Sequence, residues 1–595
     1  LGERETKFRR LDKKFTIHAG FKVSEALNER VSRISRATKA QIEASARLKR
    51  NHPSIEKQIA ALGDDLTKVL PVVMAIPLNV SRYIPSTVKF DYVIFDEASQ
   101  MYPAFALASL YRARAAIVAG DEKQMPPPKF PGTISSYTDE IEDLEEAEAP
   151  SLKDFESLLD LSKKAPAFLG TQLLWHYRSR NEGLIAFSNQ EFYRNRLYTF
   201  PSKTESDSNR AVKFIHVPDG RWEPSSRGYE GGNSPGINRV EAGVVAKAVN
   251  AHAQGYFDQS KAEYQKSLMV IAMSKAQAEE IESQVIRLSD NDETLRKFIE
   301  IDDPKNSFRI INLENVQGDE RDYVFLSFQY NKRLNGNGDV ISTQFGPLTQ
   351  EKGWRRLNVA ITRARYEMKV FSSFKSSNIP DNCSEAAGYI KRFLAYAEIG
   401  PSYLNTRVQT ASSGFADSPF EYEVLEYLQS LGYECDTQVG SAGYRIDIAV
   451  KHKRYPEIYM VAIECDGAMY HSSKTARDRD AIRQSVLEGL GWRFYRIWGT
   501  RWYRLNEEEK LKLKKFLEEI SEIDPFEESL EVISEDDSEL EAELAEDSEL
   551  PAEVGENLVG KSTEIYYPKS QPSITYDRDF WRGLEGGGER RHDQF

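Results

Sequence analysis

The chain has 595 residues, of which 40% are hydrophobic and 29% charged, as in proteins that fold in water, and it is long enough for several domains. No apolar run approaches the roughly 20 residues that cross a bilayer. The net charge is −14, but residues 521–550 hold 14 of the 93 acidic residues and no Lys or Arg, which leaves 79 acidic and 79 basic residues elsewhere. The charge therefore does not exclude basic grooves or nucleic-acid binding by the folded domains.

The first residues, LGERETKFRR, are charged and begin with Leu. We therefore expect no secretory signal here, and a native start that lies elsewhere. The three cysteines (Cys383, Cys435 and Cys465) are too scattered for a disulfide framework or a zinc cluster. We expect a cytoplasmic protein without membrane contact, whose residues 521–595 form an acidic, disordered tail.

Residues 1–70 predict polar helices, because apolar positions in IEKQIAALGDDLTKVL recur at helical spacing. Residues 71–169 predict an α/β unit whose short apolar runs are strands buried on both faces of a parallel sheet. These runs are VVMAI (72–76), YVIFD (92–96) and AAIVAG (115–120). Residues 129–165 are acidic, and we interpret them as a loop-rich insertion.

Residues 170–400 predict a second doubly wound α/β unit, because five further apolar runs alternate with helical segments. The runs are VKFIHV (212–217), SLMVIAM (267–273), FRIINL (308–313), DYVFLSF (322–328) and EMKVFSS (367–373). Residues 401–417 are a Pro-, Ser- and Thr-containing linker. Residues 418–520 then predict a helix followed by a β-hairpin, in a separate small α/β domain.

The run FDYVIFDEASQM ends with adjacent carboxylates, Asp96 and Glu97, at the carboxyl end of a predicted strand, where α/β sheets bind ligands. In an ATPase the first would hold Mg²⁺ and the second would polarise the attacking water. A single acidic pair is more often a solvated turn. Four further elements, AGDEKQMPP, WHYRSR, NVQGDERDYV and RRLNVAITRAR, follow it in the chain, and five such elements together favour a nucleotide site.

Two of these elements supply candidate phosphate contacts. Gln124 could reach a γ-phosphate, and Pro126 and Pro127 stiffen its turn. Arg363 follows Val359 by four residues on one helical face, so we expect packing of that turn to direct the guanidinium outward. An arginine held at a domain edge has the form of an arginine finger.

The ordered set DEASQ, GDEKQMPP, HYRSR, VQGDERD and LNVAITRAR resembles the superfamily 1 helicases, in particular the DNA2/NAM7-like branch, over about residues 70–375. The resemblance implies an α/β fold of two RecA-like parallel-sheet lobes, the first one truncated. It implies that residues 75–81 touch single-stranded DNA. It also implies that Asp96 and Glu97 are the Walker B pair and that Gln124 is the γ-phosphate sensor. By the same resemblance, Arg178 and Arg363 are two arginines contributed by the second lobe, and Glu320 is an acid near the ribose.

The family's phosphate-binding loop, G-x-x-x-x-G-K-[ST], is not found before residue 70, where the only glycines are Gly2, Gly20 and Gly63. We expect no such loop elsewhere in the chain either. Family order places it, with the adenine-reading motif, upstream of residue 1. The loop then comes from a missing N-terminal segment or a partner, or the ATP site is dead. We expect these 595 residues alone to hydrolyse ATP poorly or not at all.

A second constellation lies in residues 418–520. Asp447 in YRIDIAVK, and Glu464 and Asp466 two residues apart in VAIECDGAMYH, meet on one face of the predicted hairpin. Oxygen-only ligands favour Mg²⁺ or Mn²⁺, which can position a water for phosphodiester hydrolysis. His471 is a candidate acid, base or water-orienting group.

Residues 472–505 interleave basic and aromatic side chains, which suits contact with phosphates and bases. The alternative is that Trp492 and Trp498 are core residues and the arginines pair with local acids. Residues 418–505 resemble the PD-(D/E)xK restriction-endonuclease-like fold, closest to the very-short-patch-repair type. The resemblance includes a first helix that bears Glu421 and Glu423, and it makes Asp447, Glu464 and Asp466 metal-site residues, with His471 and Glu423 accessory. Asp466 replaces the usual lysine.

The sequence thus predicts an ATP-dependent DNA helicase or translocase fused to a metal-dependent endonuclease, and we expect its setting to be prokaryotic genome defence or repair. It would use ATP and Mg²⁺, or Mn²⁺ at the nuclease site. Its motor would bind single-stranded DNA and its nuclease duplex DNA, and RNA is not excluded. Two alternatives stay open: a nucleic-acid-binding remnant with an inactive ATPase, and a helicase whose nuclease-like domain only grips the duplex.

Overall fold

The computed structural model describes residues 2–48, 50, 52–128, 155–203, 211–222, 236–257, 266–303, 306–330, 332–335, 338–341, 345–405, 418–440, 445–456, 458–466 and 483–523. The predicted tail beyond Ile523, most of the linker and His471 lie outside these residues. None of the described helices is long and apolar enough to cross a membrane.

The N-terminal region is helical, as predicted. Its helices are α1 (Gly2–Ser32), α2 (Arg36–Ala46), α3 (Ile55–Leu62), α4 (Leu66–Val69) and α5 (Pro77–Tyr83). The predicted strand at residues 72–76 is wrong, because this segment pairs with no strand in the described part of the chain. The side chains of Val72, Met74 and Ile76 are instead exposed.

The first lobe contains β1 (Phe90–Phe95), α6 (Pro103–Leu110), β2 (Ala113–Val118) and α7 (Leu158–Lys164). The two strands are parallel, with Ile94 opposite Ile117. One face of this sheet is covered, because Phe95 packs with Ala106 of α6 and Leu158 of α7. The helix α7 lies within the segment predicted to be a loop-rich insertion, so part of that segment belongs to the core.

The opposite face of the β1–β2 sheet is exposed. Tyr92 and Ile94 of β1 and Ile117 of β2 are 45%, 67% and 40% exposed. The prediction that these strands are buried on both faces is therefore wrong for this lobe, because no described element covers the second face.

The second lobe has the predicted doubly wound form. Its strands are β3 (Val212–His216), β4 (Leu268–Ala272), β5 (Arg309–Asn312), β6 (Arg321–Ser327) and β9 (Ala364–Ser372), joined in the order β3-β9-β6-β4-β5 with every pair parallel. The small hairpin β7 (Lys332–Asn335) and β8 (Gly338–Ile341) lies outside this sheet. All five residues of β4, which lies between β6 and β5, are buried.

Helices cover both faces of the second sheet. Residues of α9 (Arg239–Tyr256), α10 (Lys275–Ser289) and α11 (Glu293–Ile299) form one apolar cluster with it. The other cluster contains residues of α8 (Gly183–Phe192), α12 (Trp354–Ile361), α13 (Glu385–Ile399) and α14 (Ser402–Asn405).

A third unit follows, with α15 (Pro419–Ser430), β10 (Cys435–Val439), β11 (Ile446–Lys451), β12 (Tyr459–Asp466), α16 (Arg483–Gly489), β13 (Phe494–Trp498), α17 (Gly499–Arg504) and α18 (Asn506–Ser521). Its sheet order is β10-β11-β12-β13, antiparallel except for the parallel β12–β13 pair. The predicted helix and the β11–β12 hairpin are confirmed. The flanking strands β10 and β13 were not predicted.

Candidate nucleotide and nuclease sites

The carboxylates Asp96 and Glu97 follow β1 directly, at the carboxyl end of the first sheet. Glu97 has a left-handed backbone (φ 52°, ψ 38°), a conformation that non-glycine residues adopt mainly at turns and functional sites. The turn packs tightly on the end of β2, because a Cβ at Gly120 would lie 3.0 Å from the backbone N of Ser99. A side chain there would require the backbone of this turn to move by a few tenths of an ångström, which favours the Gly in AGDEKQ.

Arg363 reaches from the second lobe to the first. Helix α12 ends at Ile361, and the Nε of Arg363 donates to the carbonyl of Val359 at 2.8 Å. Its Nη2 lies 3.5 Å from Oε1 of Gln124, at the limit of hydrogen bonding. The side chain is 98% buried between the lobes. Burial and the nearby Arg178 lower the pKa of Arg363 to about 10, so it stays cationic at neutral pH.

Arg178 lies beside Arg363 but is paired. Its Nε donates to Oε2 of Glu320 at 2.6 Å, and its Nη1 to the carbonyl of Thr362 at 3.4 Å. Arg178 and Glu320, which were predicted as separate nucleotide contacts, therefore contact each other. Burial and the positive charges of Arg178 and Arg363 lower the pKa of His176 to about 3, so the imidazole adds no charge here at neutral pH.

Glu97 is held by a residue of the second lobe. The amide of Gln317 donates from Nε2 to Oε2 of Glu97 at 2.8 Å and accepts at Oε1 from the backbone N of Met125 at 3.3 Å. Gln317 belongs to the NVQGDERDYV element, but the sequence did not mark it as a site residue. Its two bonds fix the orientation of the candidate water-polarising carboxylate against the turn that bears Gln124.

A second polar bridge joins the lobes next to Gln124. The hydroxyl of Tyr193 donates to Oδ2 of Asp121 at 2.6 Å, and Nδ2 of Asn358 donates to Tyr193 Oη at 3.0 Å and to the Lys123 carbonyl at 2.9 Å. Gln124 Nε2 lies 3.1 Å from the same Oδ2 of Asp121. Burial and the charge of Asp121 raise the pKa of Tyr193 far above its ordinary value, so the phenol stays a donor. Tyr193 falls in no motif, so only the structure shows it.

The cleft has the chemistry that a magnesium nucleotide needs. Asp96, which is exposed, and Glu97 offer carboxylate oxygens on one side, and Arg178 and Arg363 offer guanidinium groups on the other. Of the predicted opposition, the structure brings together one acid and one arginine, because Arg363 contacts Gln124 and lies within electrostatic range of Glu97. The placement of Asp96 and Arg178 around a nucleotide stays a prediction. The segment 75–81, predicted to touch DNA, forms most of α5.

The expectation that the chain contains no phosphate-loop pattern is wrong. GENLVGKS, residues 555–562, matches it letter for letter. A phosphate loop follows a buried strand and opens a helix. This segment instead follows the acidic stretch and is interrupted by Pro568 six residues after Ser562. It lies outside the described residues, and it is also in the wrong order for the family, so we assign it no role.

The candidate nuclease acids lie on neighbouring strands. Ile448 of β11 is opposite Ile463 of β12, which places Asp447 opposite Glu464 on the same face. Oδ2 of Asp447 accepts from the backbone N of Cys465 at 2.8 Å. Both acids are half-buried and offer only oxygen, which fits a divalent cation.

The rest of the predicted acid cluster lies outside the described residues. Asp466 ends β12, but its side chain and all of His471 fall outside them. Within the described part of the chain, no three acidic, His or Cys side chains form a metal-binding group. The metal-site prediction is therefore neither confirmed nor contradicted.

The two acids of α15 that carry the resemblance, Glu421 and the accessory Glu423, have structural partners. Glu421 is buried and accepts from Gln438 Nε2 at 3.0 Å, and Glu423 accepts from Trp502 Nε1 at 3.3 Å and the Tyr503 hydroxyl at 3.4 Å. Trp492 and Trp502 are 2% and 1% exposed, so these aromatics are core residues.

The chain is similar to known helicases and to a nuclease family. Residues 151–375 match the family AAA_12, described as an AAA domain, and residues 420–517 match the family REase_MTES_1575. The chain is 29% identical over 453 residues to an uncharacterized ATP-dependent helicase, the MG140 homolog of Mycoplasma pneumoniae, covering 73% of this chain and 38% of that protein. It is 27% identical over 335 residues to the DNA replication ATP-dependent helicase/nuclease dna2 of Schizosaccharomyces pombe, covering 52% of this chain and 20% of that protein.

Two solved helicase structures are also similar. Arterivirus nonstructural protein 10 is 12% identical, covers 60% of this chain and 59% of its own, and has a TM-score of 0.23. The C-terminal domain of a possible DNA helicase from Lactobacillus covers 36% of this chain and 93% of its own, at 14% identity and a TM-score of 0.18.

The class of protein is thus a helicase-type α/β domain joined to a restriction-endonuclease-like domain. The resemblance to the DNA2/NAM7-like helicases is confirmed by the dna2 and MG140 relatives. The chain spans 38% or less of the length of these two relatives.

Proposed function

We propose that this chain forms the second lobe and part of the first lobe of an ATP-driven DNA helicase or translocase, and that its restriction-endonuclease-like domain cuts DNA with Mg²⁺ or Mn²⁺. The observation that carries the motor half is the meeting of the lobes at the acid turn, where Arg363 contacts Gln124 within electrostatic range of Glu97, and Gln317 bonds Glu97. In the proposed setting the protein is cytoplasmic and serves prokaryotic genome defence or repair.

The residues of the cleft divide the work of phosphoryl transfer. The two arginines stabilise charge that develops on the transferring phosphoryl group, and Gln317 holds Glu97 in place to orient the attacking water. Asp96 would hold Mg²⁺, which would supply neutralisation of phosphate charge. Gln124 contacts both Asp121 and Arg363, so a change at the phosphate end is passed to both lobes.

The phosphate-binding loop comes, in this proposal, from polypeptide beyond these residues that also covers the exposed face of the first sheet. Tyr92, Ile94 and Ile117 form an apolar face, and apolar faces of this kind are normally buried. Purified residues 1–595 then show at most trace ATP hydrolysis, and Lys561→Ala in GENLVGKS changes nothing. Robust hydrolysis that Lys561→Ala abolishes would show that the loop is in the chain itself.

The motor is tested on the protein as expressed from its own gene, by ATP hydrolysis with and without single-stranded DNA. Arg363→Ala lowers kcat by a factor of about 10³ or more, since arginine fingers contribute 10³–10⁵. Arg287→Ala, on the exposed surface of α10, is the matched control. Equal activity of the two variants would reject Arg363 as a catalytic contact, and absence of hydrolysis in the unmodified protein would favour the alternative of a binding protein with an inactive ATPase.

The nuclease half is tested by plasmid cleavage with Mg²⁺ or Mn²⁺. Asp447→Asn and Glu464→Gln each abolish cleavage, because each removes an anionic ligand oxygen from the shared face. Glu426→Gln, at an exposed acid of α15, leaves cleavage unchanged. Loss of cleavage without loss of DNA binding distinguishes a nuclease from a domain that only grips the duplex. Cleavage that survives both site changes rejects these residues.

A further inference from the structure

The segment from Leu197 to Lys203 belongs to the helicase part of the chain but completes the core of the nuclease-like domain. We name this segment the arm. The side chain of Phe200 is 6% exposed and packs in a cluster whose other buried members all come from the nuclease-like domain: Ile446, Ala449, Tyr459, Ala462, Leu487 and Trp492. The indole of Trp492 donates to the carbonyl of Pro201 at 2.9 Å, and the backbone N of Tyr459 donates to the carbonyl of Lys203 at 2.8 Å.

The arm packs on the face of the sheet that carries the candidate nuclease acids. Ala449 and Ala462 are opposite each other in the β11–β12 register and belong to the arm's cluster. Asp447 and Glu464 are each two residues away from them, so they lie on the same face of the sheet. The arm therefore supports the alanine end of the surface on which the acids are displayed.

The other side of the arm is fixed to the second lobe next to the nucleotide cleft. The amide of Asn189, which is 2% exposed, bonds both the backbone N and the carbonyl of Leu197 at 3.0 Å. The backbone N of His176 donates to the Tyr198 carbonyl at 3.0 Å. His176 precedes Arg178 by two residues, so the arm is hydrogen-bonded to the strand-like segment that carries a candidate nucleotide contact.

Arg180 forms a second connection. Its backbone N donates to the Arg365 carbonyl at 2.7 Å, and its guanidinium donates to the carbonyl of Gly489 at the end of α16. A cation is favourable at carbonyls that end a helix. Arg178 and Arg180 thus contact, from one short stretch, the nucleotide cleft and the nuclease-like domain.

From these contacts we infer that the arm and Arg180 couple the nucleotide cleft to the acid-bearing face of the nuclease-like domain. The domain works as a docked part of the second lobe and not as a module that swings freely on its linker. The surface of the second lobe on which the nuclease-like domain docks is the arm. The docking stands on the contacts alone, and its effect on DNA cleavage rests on the proposed function.

Two tryptophans offer a matched test in the full chain. Trp492→Phe removes the indole N–H that bonds the arm, while Trp502→Phe removes one that bonds Glu423 inside the domain, at equal burial. Hydrogen–deuterium exchange is measured over residues 197–203 and 459–466. We expect Trp492→Phe to speed exchange in both segments about fivefold, as for one lost hydrogen bond, and Trp502→Phe to leave residues 197–203 unchanged.

A stronger variant and a functional readout complete the test. Phe200→Ala, which leaves every nuclease residue in place, exposes both segments further and lowers plasmid cleavage at least tenfold with Asp447 and Glu464 intact. Unchanged exchange in Phe200→Ala, or an equal response of the arm to the two tryptophan variants, overturns the docking. Normal cleavage by an undocked variant overturns the coupling. Absence of cleavage in the unmodified chain counts against the proposed nuclease, while the exchange result still decides the docking.

Discussion

The two lobes are built from similar apolar strands, but the faces of their sheets are covered to different extents. In the second lobe, β4 is buried along its full length between helices on both faces of a five-stranded sheet. In the first lobe, β1 and β2 form a two-stranded sheet covered on one face only, and Ile94 is 67% exposed. A continuous apolar run therefore indicates that a strand is suited to burial on both faces, but the covering elements must be present for that burial to occur.

The comparison separates the parts of the cleft that stand alone from those that need more polypeptide. The second lobe positions Arg178, Arg363 and Gln317 on a complete core. The first lobe positions Asp96, Glu97 and Gln124 on a sheet with an exposed face. Hydrogen bonds from Gln317, Tyr193 and Asn358 hold the first lobe's turns against the second lobe. The second lobe therefore helps to fix the positions of the first lobe's site residues.

The largest contrast is expected from apolar truncations in the two sheets. Phe325→Ala in β6 removes a side chain that is 0% exposed and should lower the free energy of unfolding by about 3–5 kcal/mol. Ile94→Ala should change it by about 0.5 kcal/mol or less, because the side chain is largely in water. Urea unfolding of each variant measures both. A cost for Ile94→Ala as large as that for Phe325→Ala would show that the first sheet is covered in solution.

The second lobe and the N-terminal helical region each contain a carboxyl group with a shifted pKa, and the two groups should change the free energy of unfolding with pH in opposite directions. Burial raises the pKa of Glu241, in α9 of the second lobe, to about 7, although Ser327 and the backbone of Gln329 donate to it. A raised carboxyl pKa favours the protonated native state, so its contribution is full below the ordinary pKa near 4.5 and is lost as pH rises through 7. The loss is about 3 kcal/mol for such a shift.

In the N-terminal helical region the sign is reversed. Hydrogen bonds from Lys68, Thr38 and the backbone of Ser35 lower the pKa of Asp65, so its contribution is present above the ordinary pKa and is lost as pH falls below it. Unfolding measured between pH 3 and 8 tests both signs. Glu241→Gln should remove the slope between pH 4.5 and 7, while Glu279→Gln on the surface of α10 should not. A slope that survives Glu241→Gln belongs to another group.

The sequence predicted the elements that depend on local residue patterns. It did not predict features that depend on contacts with other parts of the fold. The five strands of the second lobe and the β11–β12 hairpin follow from short apolar runs. Residues 72–76 have the same pattern but pair with no described strand, which no local signal reveals. The burial of Arg363 was not predicted, because spacing along a helix does not show that the helix ends two residues earlier against another lobe. Tyr193 was missed because it lies in no motif and joins the lobes only through its contact with Asp121, which is distant in sequence.

A smaller effect is expected at the bridge between the lobes. Tyr193→Phe keeps the ring but removes the donor to the Asp121 carboxylate, a charged hydrogen bond that contributes about 1.5–3 kcal/mol. The turn that carries Gln124 should then exchange amide hydrogens faster, with little change in the core of the second lobe. Tyr198→Phe, at an exposed ring, is the control. Faster exchange throughout the second lobe would mean that Tyr193 supports the core and not the bridge.

The smallest effects are expected at helix starts, where the two lobes should behave alike. Ser157 caps α7 in the first lobe by accepting from the backbone N of Asp160, and Ser274 caps α10 in the second by accepting from Gln277. Each Ser→Ala change should cost about 1 kcal/mol in urea unfolding, and each Ser→Asp change should restore most of it. Ser274 also donates to Gln329 at 2.9 Å, so its alanine variant should cost slightly more. Because a cap depends only on its own first turn, near-equal costs would locate the difference between the lobes in the uncovered sheet face. A cost at Ser157 close to zero would show instead that α7 itself is only loosely held.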